Sequence, residues 1–176
     1  MKKVLFFATL LLCMGLTSCE KEDIGGTATE SMAGEWYVTV DAADANGNVI
    51  EGYEDFFGIG RIHVLTYNAS DNNPNVLIVD DLANFWEFKV KTTCDQNSLT
   101  FSTNSTDENN LVDGYPINVT ITGGKIIKDG GVQNNGSKAD YIEFYVSFSD
   151  DPYPAKYGYA NYKVSGVRYS GLVEND

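Results

Sequence analysis

Tyr141-Ile-Glu-Phe-Tyr-Val-Ser-Phe148 (YIEFYVSF) places an apolar side chain at every second position. In a strand, successive side chains point to opposite faces, so Ile142, Phe144, Val146 and Phe148 share one face. Tyr141, Glu143, Tyr145 and Ser147 share the other. A helix would scatter the same four apolar groups around its axis, so this stretch reads as a half-buried strand. The rhythm recurs along the chain. Trp36, Val38 and Val40 alternate with Tyr37, Thr39 and Asp41. Ile62, Val64 and Thr66 alternate with Arg61, His63, Leu65 and Tyr67, an ambiguous case because both sets contain apolar residues. Trp86, Phe88 and Val90 alternate with Glu87, Lys89 and Lys91. Ile117, Val119 and Ile121 follow the same pattern, as do Tyr162 and Val164. Shorter candidates lie at 75–79, 99–103 and 125–128. Their β-branched and aromatic content suits strands.

Turn chemistry separates these runs. Asn46-Gly47 suits a two-residue turn because both residues tolerate positive φ. Gly123-Gly124 predicts a tight hairpin between Thr122 and Lys125, and Gly130-Gly131, Asn135-Gly136 and Asp150-Asp151-Pro152 predict further breaks. Apart from a turn near 80–84, the pattern predicts no helix. The expectation is an all-β fold of eight or nine short strands in a single antiparallel meander. Closure into a barrel would remove the exposed edges, and eight strands leave room for filling side chains or one small ligand.

The N-terminus follows a different logic. Lys2 and Lys3 precede an apolar run from Val4 to Gly15, too short for a membrane span of roughly 20 residues. That is the shape of an export signal. It ends Leu16-Thr17-Ser18-Cys19, which resembles a bacterial lipoprotein box. The resemblance implies cleavage after residue 18 and acylation of Cys19, anchoring the protein to a membrane through lipid. Glu20-Lys21-Glu22-Asp23 resembles the address that sends Bacteroidetes lipoproteins to the outer face of the outer membrane. The expected organisation is a signal peptide over 1–18, a lipidated cysteine and flexible tether over 19–33, and one barrel domain over 34–176.

Charge and cysteine content restrict the function. Loss of two lysines with the signal takes the formal charge from −13 to about −15. The basic residues are scattered, which argues against nucleic acid as a partner. Once Cys13 leaves and Cys19 is acylated, Cys94 is a lone thiol. One histidine, His63, is the sole imidazole base for a Ser-His-Asp triad, and the G-x-S-x-G elbow is absent. The acids Glu51, Glu54, Asp55, Asp80 and Asp81 read as a solvated surface. Asp41, Asp44, Asn46 and Asn48 miss the EF-hand pattern. No metal site, no cofactor and no catalytic residue is assigned.

Gly34-Glu35-Trp36 looks like the G-x-W motif of lipocalins, whose tryptophan closes one end of the barrel beneath an arginine of the last strand. Here Arg168 shares parity with Tyr162 and Val164, as Trp36 does with Val38 and Val40. The resemblance therefore implies a structural pair, Trp36 with Arg168, in a lipocalin-like barrel. More broadly, Gly34–Val38, the segment NFWEFKVKTTCD (84–95) and YKVSGVRYSG (162–171) resemble the Bacteroidetes lipoproteins grouped as "lipid-binding putative hydrolase" proteins. That resemblance implies a calycin-like barrel, lipid binding and a hydrolase label without a motif to support it.

Aromatic residues supply the candidate ligand site. Phe56, Phe57, Tyr153 and Tyr157 lie in EGYEDFFGIG and DPYPAKYGYA and would rim a barrel mouth, while Phe88 and Phe144 would line its interior. The alternative is that these rings plug the barrel. The expected function is a surface-anchored lipoprotein binding a lipid or another small apolar molecule. The alternatives are a hydrolase acting on lipid or glycan, and a non-catalytic accessory subunit with an outer-membrane protein partner.

Overall fold

The computed structural model describes residues 26–104 and 108–175. The expected signal peptide (1–18) and the lipidation expected at Cys19 lie outside the described residues. Among the described residues nine strands are present: β1 (Gly34–Ala43), β2 (Ile62–Asn68), β3 (Val76–Asp80), β4 (Lys89–Asp95), β5 (Thr100–Ser102), β6 (Glu108–Asn109), β7 (Asn118–Val132), β8 (Lys138–Phe148) and β9 (Asn161–Arg168). Every pairing is antiparallel, in the order β5-β4-β3-β2-β1-β9-β8-β7-β6. Pairing of β5 with β7 at Thr100↔Lys125 and Phe101↔Gly124 closes eight of them into a barrel. The short β6 continues the same edge of β7 at Glu108↔Val119.

The alternation in the sequence maps directly onto the wall. Trp36, Val38 and Val40 face inward on β1, as do Ile62, Val64 and Thr66 on β2, and all are buried. On β8 and β9, Ile142, Phe144, Val146, Tyr162 and Val164 do the same. They form one core with Leu77, Val79, Phe88, Val90, Phe101 and Ile121.

Four expectations need correction. Gly123-Gly124 is not a hairpin: β7 runs straight through it for 15 residues with a register shift between Thr122 and Lys125. Gly123 has φ 62°, which makes a bulge that bends the strand. A Cβ on Gly124 would sit 2.5 Å from the Phe101 ring and carbonyl oxygen. Glycine is thus required there by close approach, and a second shift between Ile127 and Gly131 absorbs the next glycine pair. Second, the strand expected from Trp86 begins only at Lys89, for a reason given below. Third, DPYPAKYGYA contains one helical turn, α1 (Tyr153–Tyr157), ended by Gly158 with φ 81°. Fourth, packing begins before Gly34. Thr29 and Met32 are fully buried, and Ala28 N–H donates to Asn72 Oδ1 at 2.8 Å. From residue 26 the expected tether is therefore part of the domain.

The Gly34-x-Trp36 motif acquires a physical account. The Arg168 guanidinium carbon lies 4.5 Å from the centre of the Trp36 ring, a cation–π contact worth about 1 kcal/mol or more when desolvated. A Cβ on Gly34 would stand 2.1 Å from Arg168 Nη1, so glycine leaves the space that the guanidinium fills. Gly166 is tighter still. There a Cβ would meet the Tyr37 carbonyl oxygen at 2.1 Å and Val38 Cα at 2.6 Å, both backbone atoms that cannot swing away. Gly166→Ala is expected to destabilise the barrel by about 3 kcal/mol, read as a lower urea midpoint. A change under about 0.5 kcal/mol would refute the close approach.

Candidate functional site

The barrel has two unlike ends. The first residues of β1 and the last of β9 meet at the base, where Trp36 Nε1–H donates to Thr66 Oγ1 at 2.8 Å and the Thr66 hydroxyl donates to Met32 O at 2.7 Å. Thr66 is buried because it relays between these two groups. Arg168 Nη1–H donates to Ala33 O at 2.8 Å, and its Nε–H reaches Asp140 Oδ2 at 3.3 Å. Burial pushes the Asp140 carboxyl up, but Lys128, the Asp129 N–H and Arg168 together hold it below its usual range.

The opposite end is built from the β1–β2, β3–β4, β6–β7 and β8–β9 loops. It brings together four of the aromatic residues singled out above. Phe56 lies 5.0 Å from Phe57, 6.2 Å from Tyr153 and 5.2 Å from Tyr157, centre to centre and edge to face. Phe57 lies 5.4 Å from Tyr153. These rings are half-buried or, for Tyr157, exposed. Phe88 and Phe144 are placed elsewhere, fully enclosed in the core beneath. The interior around them is occupied by protein side chains.

Two further rings belong to this cap. Phe85 lies 5.6 Å from Phe57, and Trp86 stacks on Phe148 at 4.9 Å with the planes nearly parallel. Their backbone winds around Asp81. Asp81 Oδ2 accepts N–H bonds from Phe85, Trp86 and Glu87, while Oδ1 accepts from Ala83 and Phe88, all between 2.8 and 3.1 Å. Five amide dipoles thus supply the counter-charge of a carboxylate only 1% exposed. This competes successfully with strand pairing over 82–88, and Glu87 adopts φ 54° as a result. Beside it, Asp80 accepts from Tyr67 at 2.8 Å and pairs with Lys89 at 3.0 Å. Neither acid is the solvated surface group that the sequence suggested. Adjacent aspartates before a run of aromatics were the available signal.

The β8–β9 loop is fastened by its own acids. Asp150 accepts from Trp86 Nε1–H at 3.0 Å and from the Tyr115 hydroxyl at 2.6 Å, joining three loops. The bond to Asp150 pushes the Tyr115 phenol up to about 12. Asp151 accepts from the Tyr162 hydroxyl at 2.7 Å, which lies 2.5 Å from the Tyr159 hydroxyl. Burial pushes Tyr159 up to about 12 and raises Tyr162 as well.

Other candidates lie apart from this cap. His63 is on the outer wall of β2, its Nδ1 2.9 Å from Glu35 Oε1 but without hydrogen-bond alignment, flanked by the rings of Tyr37 and Tyr169. Cys94 is buried at the β4–β5 seam, where desolvation raises its thiol. It borders a groove of about 410 Å³ with Phe101, Gly124 and Lys125. Asp44 folds its carboxylate onto the Asn46 and Asn48 amides of its own turn, which lowers its pKa, Asn48 contributing most.

The described residues thus define a small closed antiparallel β-barrel, plugged at one end and ringed with aromatics, mostly half-buried, at the other. A family model described as "Lipid-binding putative hydrolase" matches residues 21–173. The chain belongs to that family. No curated protein matches it.

Two expectations follow. Asp81→Ala leaves five amides unpaired and is expected to cost about 3 kcal/mol or more, with loss of the Trp86 environment seen in fluorescence. Unchanged stability and emission would refute the role of the carboxylate. The second concerns alkali. Tyr159 and Tyr162 have folded pKa values raised above the ordinary value of 10, so their contribution is complete below pH 10 and lost as pH climbs toward about 12. Stability should fall across that window, and Tyr162→Phe should flatten the fall. An equally steep loss in the variant would assign it to other groups.

Proposed function

We propose that this chain is a membrane-tethered binding protein that holds the apolar part of a lipid at the aromatic end of its barrel. The observation carrying this reading is the partial burial of Phe56, Phe57 and Tyr153, with the exposed Tyr157 beside them, above a filled core. Rings in edge contact can part and close over an acyl chain, whereas Phe88 and Phe144 cannot be vacated without opening the core itself. The family description supports a lipid as the ligand.

The rim adds selectivity. Asp150 and Asp151 stand at the cap, and Glu51 and Glu54 lie on the β1–β2 loop that carries Phe56 and Phe57, against Lys156. This surplus of carboxylates favours a neutral, hydroxyl-rich or amine-bearing headgroup over an anionic one. In this reading residues 1–18 are removed, Cys19 is acylated and the barrel is held at the outer membrane, facing outward. No residue is assigned to catalysis, and His63, on the outer wall beside Glu35, lies apart from the ligand.

Titration of the chain from Cys19 onward with a fluorescent fatty alcohol tests this. Saturable binding is expected, about tenfold weaker in the pair Phe57→Ala with Tyr153→Ala and unchanged in His63→Ala. The matching fatty acid should bind less well. Absence of saturable binding, or indifference to the paired change, would reject the cap as the site.

A further inference from the structure

Large apolar side chains reach solvent mainly at the barrel's two ends. Ile59, Leu82 and Tyr157 belong to the cap; Val132, Leu172 and Val173 belong to the base. The basal group is the more exposed, with Val132 at 63%, Leu172 at 51% and Val173 at 86%. None of the core packing described above explains them.

Their support is firmly built. The β7–β8 pairing continues to Val132↔Lys138, three residues past the last β8–β9 pair, Tyr141↔Val167. The hairpin tip therefore runs about 10 Å past the last β8–β9 pair, beside the chain that leaves β9, where Gln133 Nε2–H donates to Arg168 O at 2.7 Å. The C-terminal segment is strapped to that tip: Asn135 N–H donates to Asn175 Oδ1 at 3.0 Å and Asn135 Nδ2 to Glu174 Oε1 at 2.9 Å. Asn175 Nδ2 in turn donates to Ser170 Oγ at 2.9 Å. Leu172 and Lys138 border one groove beside this strap. The result is an apolar foot with a lysine at its side.

The same end receives the chain from the N-terminus. Residues 26–33 cross the base, where Ser31 O accepts from Lys128 Nζ at 3.3 Å and Ala33 O accepts from Arg168. Six residues, 20–25, separate Cys19 from Gly26, a reach of at most about 25 Å. We infer that the foot formed by Val132, Leu172 and Val173 rests on the bilayer that carries the Cys19 acyl chains. This rests on the acylation proposed above. Aliphatic groups on a rigid projection enter the headgroup boundary, and each contributes by the apolar area it removes from water. The acidic cap then points away from the anchoring membrane. The lipid is therefore exchanged with a second acceptor across the gap, not drawn directly from the bilayer beneath.

The acylated chain, purified from membranes and reconstituted in vesicles of phosphatidylethanolamine with phosphatidylglycerol, tests this. Its intact mass first shows whether Cys19 carries acyl chains. Val173→Cys and Tyr157→Cys variants each take one thiol-reactive dye, since Cys94 is buried and its thiol raised. Lipids bearing a nitroxide near the headgroup should quench the Val173 label at least about threefold more than the Tyr157 label. Val132→Glu with Leu172→Glu should bring the Val173 label down to the Tyr157 level with circular dichroism unchanged. Equal quenching at both ends, stronger quenching at Tyr157, or indifference to the two glutamates would overturn the foot. A mass without acyl chains would instead overturn the anchor. The Val173 label would then be read on the unacylated chain from Cys19 onward, with Cys19→Ser so that the dye still takes one site, mixed with the same vesicles, where quenching would still support the foot and its absence would overturn it.

Discussion

A guanidinium that keeps its charge at any accessible pH must be given partners wherever it is placed. Arg168 is placed at the junction of the first and last strands, and its partners tie the base together. The Trp36 face, the Ala33 carbonyl and the Asp140 carboxylate take up the π, backbone and ionic contacts respectively. Trp36 then orients Thr66, and Thr66 fixes Met32, so the residues ahead of β1 are drawn under the barrel as a plug. Gly34 is the absence that lets the arginine in. Remove the cation and the indole face, the carbonyl and the carboxylate each lose a partner in a half-dry site, which costs more than the net worth of any one contact.

That closed base leaves conformational freedom to the other end, where binding is proposed. The core is continuous from Trp36 through Phe144 to Tyr162, and such interiors are as dense as organic crystals. Conformational give therefore resides in the cap, where rings meet by edges and stacking on long loops. The polar ties at Asp150 and Asp151 limit how far those loops can move. In the proposed reading, such a site selects by what it can wrap and by the sign of its rim, not by a preformed void.

The wall was legible because a two-residue period leaves one solution for which side chains are inside. Tyr141–Phe148 and Trp36–Val40 announced their inward faces without ambiguity, and Arg168 could be matched to Trp36 by parity. The failures share a cause. Gly123-Gly124 was read as a turn because glycine tolerates both a turn and a bulge, and only the long-range approach of Phe101 decides between them. Asp81 was read as solvated because five amides from its own following loop leave no periodic trace. For the same reason Trp86 was placed in a strand rather than in the cap, and Phe85 was not singled out. Loop composition placed Phe56, Phe57, Tyr153 and Tyr157 at the rim and strand parity placed Phe88 and Phe144 inside, but neither shows that the interior around the latter pair is packed, because that depends on the folded wall.

Pairing of β1 with β9 joins residues roughly 130 positions apart, Trp36 with Arg168. Until the C-terminal strand arrives, β1 has one neighbour instead of two and β8 presents an open edge. Contacts of such separation are slow to form because chain entropy is lost before they reward it. The meander from β1 to β5 can assemble from local pairs, but it remains an unclosed sheet with sticky margins. A chain shortened by even its last strand would lose both the staple over Trp36 and the cover on two edges. Protection from self-association is thus conferred all at once, at the final step of folding, by the part of the chain that is made last.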